Sequence, residues 1–131
     1  MNWLKSFWQF SRPHTIIGTS LSVLALYFIS LATTVTQINP VNLEQMIAVW
    51  VACLCGNIYI VGLNQLYDIE IDRVNKPELP LASGEFTVGQ GKLIVGVTGC
   101  LSLIIAALSG TWLLATVATS LLIGTAYSTP P

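Results

Sequence analysis

The chain has 131 residues, 53% of them hydrophobic and only 8% charged, with a mean hydropathy of +0.73. An ordinary soluble domain carries about a quarter charged residues, so this is the composition of a membrane protein. The net charge of −1 and the lack of a basic run long enough to track phosphates argue against nucleic acid as a partner.

The first ten residues, with Trp3, Phe7, Trp8 and Phe10, read either as an interfacial segment lying on the membrane or as a frayed tail. Four apolar windows follow at about 13–32, 43–66, 88–108 and 112–127, and each suits a helix crossing a bilayer core of about twenty residues. Ser11 and Pro13 open the first, Asn42 with Gln45 and Thr87 with Gln90 make capping-box-like starts, and Ser109-Gly110 separates the last two. Lys5 ahead of the first run leaves a signal peptide as an alternative there, although the run is long and no small-x-small cleavage site stands out.

All five Lys and Arg residues (Lys5, Arg12, Arg73, Lys76 and Lys92) fall in the N-terminal segment or around the connection at 67–92, whose loop spans about 67–87. The positive-inside rule therefore places the N-terminus, this connection and the C-terminal end on the cytoplasmic side, with short loops at 33–42 and 109–111 outside. Small residues recur at fourfold spacing in the third window (Gly96, Cys100) and the fourth (Thr116, Ser120, Gly124), predicting close helix contacts. Cys53, Cys55 and Cys100 are too few for a disulfide framework. Cys53 and Cys55 lie two apart on a helix and point nearly opposite ways, so they read as small residues filling contacts, not as a shared metal site.

The charges concentrate in GLNQLYDIEIDRVNKPELP, residues 62–80. Asn64, Asp68 and Asp72 stand four apart, and each step drifts by only about 40°, so they project from one stripe at the end of the second helix. Carboxylates there meet the negative end of the helix dipole, so a positive partner is expected. The plain account is a polar collar with an ordinary Asp72–Lys76 pair. The fuller account gives the two aspartates to a hard cation such as Mg²⁺, with Arg73 and Lys76 facing a diphosphate whose hydrophobic tail lies among the helices. Glu70 projects away from the stripe and is left out of the metal site.

The N-x-x-x-D-x-x-x-D pattern of Asn64, Asp68 and Asp72, followed by Arg73 and Lys76, resembles the first aspartate-rich motif of the UbiA superfamily of membrane prenyltransferases. GLNQLYDIEIDRVNKPELPLASGE and SRPHTIIGTSLSV are most similar to its homogentisate phytyltransferase branch. The resemblance implies an all-α, nine-helix membrane bundle around a central cavity, with Mg²⁺ and a prenyl diphosphate held between two aspartate-rich motifs. It implies Asp68 and Asp72 as catalytic Mg²⁺ ligands, and Asn64 as a metal or diphosphate contact. Arg73, Lys76 and Arg12 would contact the diphosphate. The implied reaction ionises phytyl diphosphate, and homogentisate captures the allylic cation with loss of carbon dioxide, a step of tocopherol biosynthesis in a photosynthetic membrane.

No acidic residue occurs after Glu85, so a second aspartate-rich motif is absent. The chain is therefore expected to be the N-terminal part of a single prenyltransferase domain, inactive alone. Gly84, Gly89 and Gly91 complete no nucleotide-binding pattern and read as turn and helix-entry residues. His14 reads as an interfacial histidine or an acceptor contact, and Tyr127 as a belt anchor or a cation-stabilising ring. Two rival functions are an ion-coupled transporter segment and a docking subunit of a larger membrane assembly.

Overall fold

In a computed structural model, residues 2–130 are described. Seven helices run in the order α1 (Trp3–Phe10), α2 (Pro13–Thr33), α3 (Pro40–Tyr67), α4 (Ile69–Asn75), α5 (Pro80–Ser83), α6 (Val88–Ser109) and α7 (Thr111–Ser128), and no strand occurs among the described residues. α2, α3, α6 and α7 are long and apolar enough to cross a membrane, matching the four expected windows. α3 is the longest and lies at the centre, packed on α6, α7 and α2.

Local chemistry explains the helix limits. At α6, Thr87 Oγ1 accepts from the Gln90 amide while Gln90 Oε1 accepts from the Thr87 amide, which is the expected capping box. At α3 the expectation that Asn42 opens the helix is corrected. Asn39 is the cap, Pro40 takes the first helical position, and Asn42 is the third residue, whose side chain closes the box onto the Asn39 amide.

The close-packed faces also differ from the expected stripes. Gly96 has open space around it and Cys100 is exposed, so neither makes the predicted contact. The packed face of α6 is instead Gly91, Val95, Gly99, Ser102 and Ala106. Ser102 Oγ donates to the Ala52 carbonyl of α3 at 2.8 Å, and a Cβ on Gly99 would come 2.7 Å from Tyr59 Cδ2. On α7 only Gly124 of the small stripe meets a neighbour, Ile60, while Thr116 and Ser120 stay exposed. Which fourfold stripe is used depends on the rotation of each helix, and that is set by the neighbours' bulk.

α2 buries little beyond Val23. Three polar links tie it to α3: Asn57 Nδ2 donates to Thr15 Oγ1 (2.9 Å), Trp50 Nε1 to Ser20 Oγ (2.8 Å), and Tyr27 Oη to Asn42 Oδ1 (2.8 Å). Such bonds hold helices together where no hydrophobic driving force separates a helix from lipid.

α1 is a docked amphipathic helix and not a frayed tail. Its Asn2 cap accepts from the Leu4 and Lys5 amides, and its buried face carries Ser6 and Phe10. Phe10 joins Leu81, Phe86 and Val95 in a core cluster at the charged end of the bundle, and Ser6 Oγ donates to Glu85. Trp3, Leu4 and Trp8 remain exposed, as an interfacial helix requires.

Candidate functional site

α3 ends at Tyr67, and Asp68, with φ −105° and ψ 22°, is both its last cap and the first cap of α4. This is a one-residue kink in place of the continuous helix end expected from the fourfold spacing. The backbone register nevertheless persists through it: the Asp68 amide donates to the Asn64 carbonyl (3.0 Å), Asp72 to Asp68 (2.7 Å), and Lys76 to Asp72 (2.7 Å). The kink also places Glu70 and Asp72 in the first turn of α4, where the helix dipole favours carboxylates, so the expected conflict with a negative helix end is relieved at Asp72.

The side chains along this register divide into two groups. Asn64 Nδ2 donates to Asp68 Oδ2 at 3.1 Å, which orients the half-buried Asp68 carboxylate. Asp72 is 5% exposed, and Lys76 Nζ stands 4.0 Å from its Oδ1. Burial pushes the Asp72 carboxyl above its ordinary value; Lys76 pulls it down, Asp68 raises it, Arg12 lowers it, and Glu78 raises it.

Arg12 thus belongs to this neighbourhood although it lies sixty residues earlier in the chain. It lines a cleft of about 190 Å³ together with Gln9, Pro13, His14, Lys76, Glu78 and Leu79. Its backbone is left-handed, with φ 55°, at the junction of α1 and α2. Arg73 stands apart from these cations: its Nη1 pairs with Glu70 Oε1 at 2.7 Å on the exposed side of α4. Glu70 therefore lies off the stripe, as its spacing predicted. His14 is exposed at the cleft, and Tyr127 is 83% exposed near the end of α7.

The donor set suits a hard cation in its chemistry. Asp68 and Asp72 offer carboxylate oxygens, and Mg²⁺ is usually held by one or two carboxylates with waters and substrate phosphates completing its shell. Among the described residues no three His, Cys, Asp or Glu side chains gather into a cage.

Gln65 escaped the sequence reading. It is 1% exposed, and its Nε2 donates to the carbonyls of Phe10 (2.7 Å) and Val61 (3.2 Å). Nothing in the local spacing sets it apart from Asn64 beside it; its burial comes from α1 packing onto α3. Ser128, also buried, carries a hydroxyl without a partner among the described residues at the end of α7.

A homogentisate phytyltransferase from Synechocystis sp. is 56% identical over 129 residues, covering 98% of this chain and 42% of the relative. A homogentisate geranylgeranyltransferase from Hordeum vulgare is 43% identical over 126 residues, covering 95% of this chain and 31% of the relative. The chain therefore spans less than half the length of these relatives. A solved structure from work on digeranylgeranylglyceryl phosphate synthase in membranes superposes with a TM-score of 0.85 at 24% identity, covering 98% of this chain and 44% of that one, which establishes the shared fold. Residues 19–130 match the UbiA prenyltransferase family, and the chain belongs to that family.

Proposed function

We propose that this chain supplies the first aspartate-rich half of the active site of an Mg²⁺-dependent aromatic prenyltransferase, which transfers a phytyl group from its diphosphate to homogentisate. The observation that carries the reading is the Asn64–Asp68–Asp72–Lys76 register, kept through the kink by consecutive backbone bonds, with Arg12 brought beside it. Asp68 and Asp72 hold the metal, and Asn64 orients the Asp68 carboxylate. Lys76 and Arg12 bind and orient the diphosphate from the shared cleft, and Arg73 reaches it after leaving Glu70. Positive charge to offset the departing diphosphate is what a bound Mg²⁺ supplies.

The prenyl tail lies among the apolar helices, and homogentisate is the acceptor. The relatives' names support both substrates, and the higher identity to the phytyltransferase favours phytyl over geranylgeranyl. The charged connection lies on the cytoplasmic side of a photosynthetic membrane, in keeping with the Lys and Arg distribution. Because no carboxylate follows Glu85, the partner acids come from the remaining part of the same domain, and residues 1–131 alone transfer no prenyl group.

Asp68→Asn in the full-length protein tests the assignment. Mg²⁺-dependent transfer falls by about 100-fold or more while the unfolding temperature in detergent is kept. Retained transfer in a folded variant removes Asp68 from the site and leaves the polar-collar account. Assays of the parent with phytyl and geranylgeranyl diphosphate, each with homogentisate, decide the chain length.

A further inference from the structure

Arg12 adopts a left-handed backbone that costs energy for any residue with a Cβ, and such strain persists only where surrounding contacts impose it. It follows the last turn of α1, in the position after the cap where glycine is usual, and its amide donates to the Gln9 carbonyl at 3.1 Å. One contact that holds this turn from outside is Gln65, whose Nε2 meets the Phe10 carbonyl, one of the terminal carbonyls of α1 that helix geometry leaves without a partner.

Gln65 is an expensive choice for packing alone. Its side chain is buried, and its Oε1 finds no donor among the described residues, a penalty that a methionine of similar volume would avoid. The amide is needed for what its N–H groups hold. Ser11 Oγ donates to the Phe7 carbonyl and Thr15 Oγ1 to the Arg12 carbonyl, so the turn is bonded on both sides of Arg12. Glu78, Lys76 and His14 line the cleft that Arg12 enters.

We propose that Gln65 is a positioning residue for the diphosphate site: by bonding the Phe10 carbonyl it locks the α1–α2 turn and holds the Arg12 guanidinium across the cleft from Lys76. The inference rests on the reading of Arg12 as a diphosphate contact. It links the aspartate-rich helix to the first cationic contact through its own interior side, so that metal and diphosphate groups are placed by one rigid unit.

The test is a double-mutant cycle in the full-length protein with Gln65→Met and Arg12→Gly, reading KM for the prenyl diphosphate, kcat and unfolding temperature in detergent. Gln65→Met raises KM about tenfold, with kcat little changed and the unfolding temperature close to the parent's, because the orphan Oε1 is gone while the Phe10 carbonyl loses its donor. Arg12→Gly raises KM by a similar factor while relieving the backbone. The double variant is no worse than Arg12→Gly, because Gln65 acts through Arg12. If Gln65→Met does not fold, Gln65→Asn, whose shorter amide falls short of the Phe10 carbonyl, takes its place with the same expectations for KM and kcat and a lower unfolding temperature, because its amide stays buried without that bond. An unchanged KM in the Gln65 variant, or effects that multiply in the double variant, overturns the inference while Arg12 keeps its role. An unchanged KM in Arg12→Gly overturns the reading of Arg12 and the inference with it.

Discussion

Lys76 Nζ lies 4.0 Å from Asp72 Oδ1, one helical turn away, with the carboxylate buried and the amine partly exposed. At that separation the lysine offsets part of the cost of burying the carboxylate without forming a short ion pair, which leaves Asp72 available to a cation. The consequence appears in pH dependence. Burial holds the Asp72 carboxyl above its ordinary value of 3.8, so the folded state binds this proton more tightly than the unfolded chain does. The contribution of this group to stability is fully present below the ordinary value and is lost as pH rises through the raised one. Thermal unfolding in detergent with a chelator present, followed from 3.8 upward to neutral pH, therefore declines more steeply for the parent than for Asp72→Asn. A parallel decline in both proteins contradicts the assignment.

Tyr59 decides what Gly99 must be. Its ring lies where a Cβ on Gly99 would sit, and its hydroxyl is held by Thr125 Oγ1 at 2.7 Å, so the ring has little freedom to move aside. Gly99→Ala is expected to lower stability by about 1–3 kcal/mol, the usual cost of overpacking. Gly96→Ala, three residues earlier on an open face, gains up to about 1 kcal/mol from helix propensity. Paired melts of the two variants check both signs.

Val35 sits just beyond the end of α2 with φ 50°, and the chain closes there in a Schellman arrangement: the Thr36 amide donates to the Leu31 carbonyl (2.9 Å) and the Val35 amide to the Ala32 carbonyl (3.4 Å). A β-branched residue is strained in this conformation, and its side chain is 92% exposed, so it gains little burial in return. Val35→Gly is expected to raise stability by about 1 kcal/mol, with no change in substrate KM, because the loop lies at the far end of α2 from Arg12. A lower melting temperature in that variant shows that the strain is smaller than the entropy glycine adds to the unfolded chain.

The sequence by itself determined the four spanning helices, the Thr87–Gln90 cap and the spacing from Asn64 to Asp72. These are local properties: hydropathy over a helix length, hydrogen bonds within one turn, and a period close to four residues. It also separated Glu70 from the stripe by angle alone. Only the tertiary structure decided that the helix kinks at Asp68 without losing register, that Gly99 and not Gly96 meets α3, and that Arg12 shares a cleft with Lys76. Each of these depends on which side chains fill the space between elements far apart in the chain, as when Gln65 reaches Phe10 across 55 positions, and no local period encodes such a pairing.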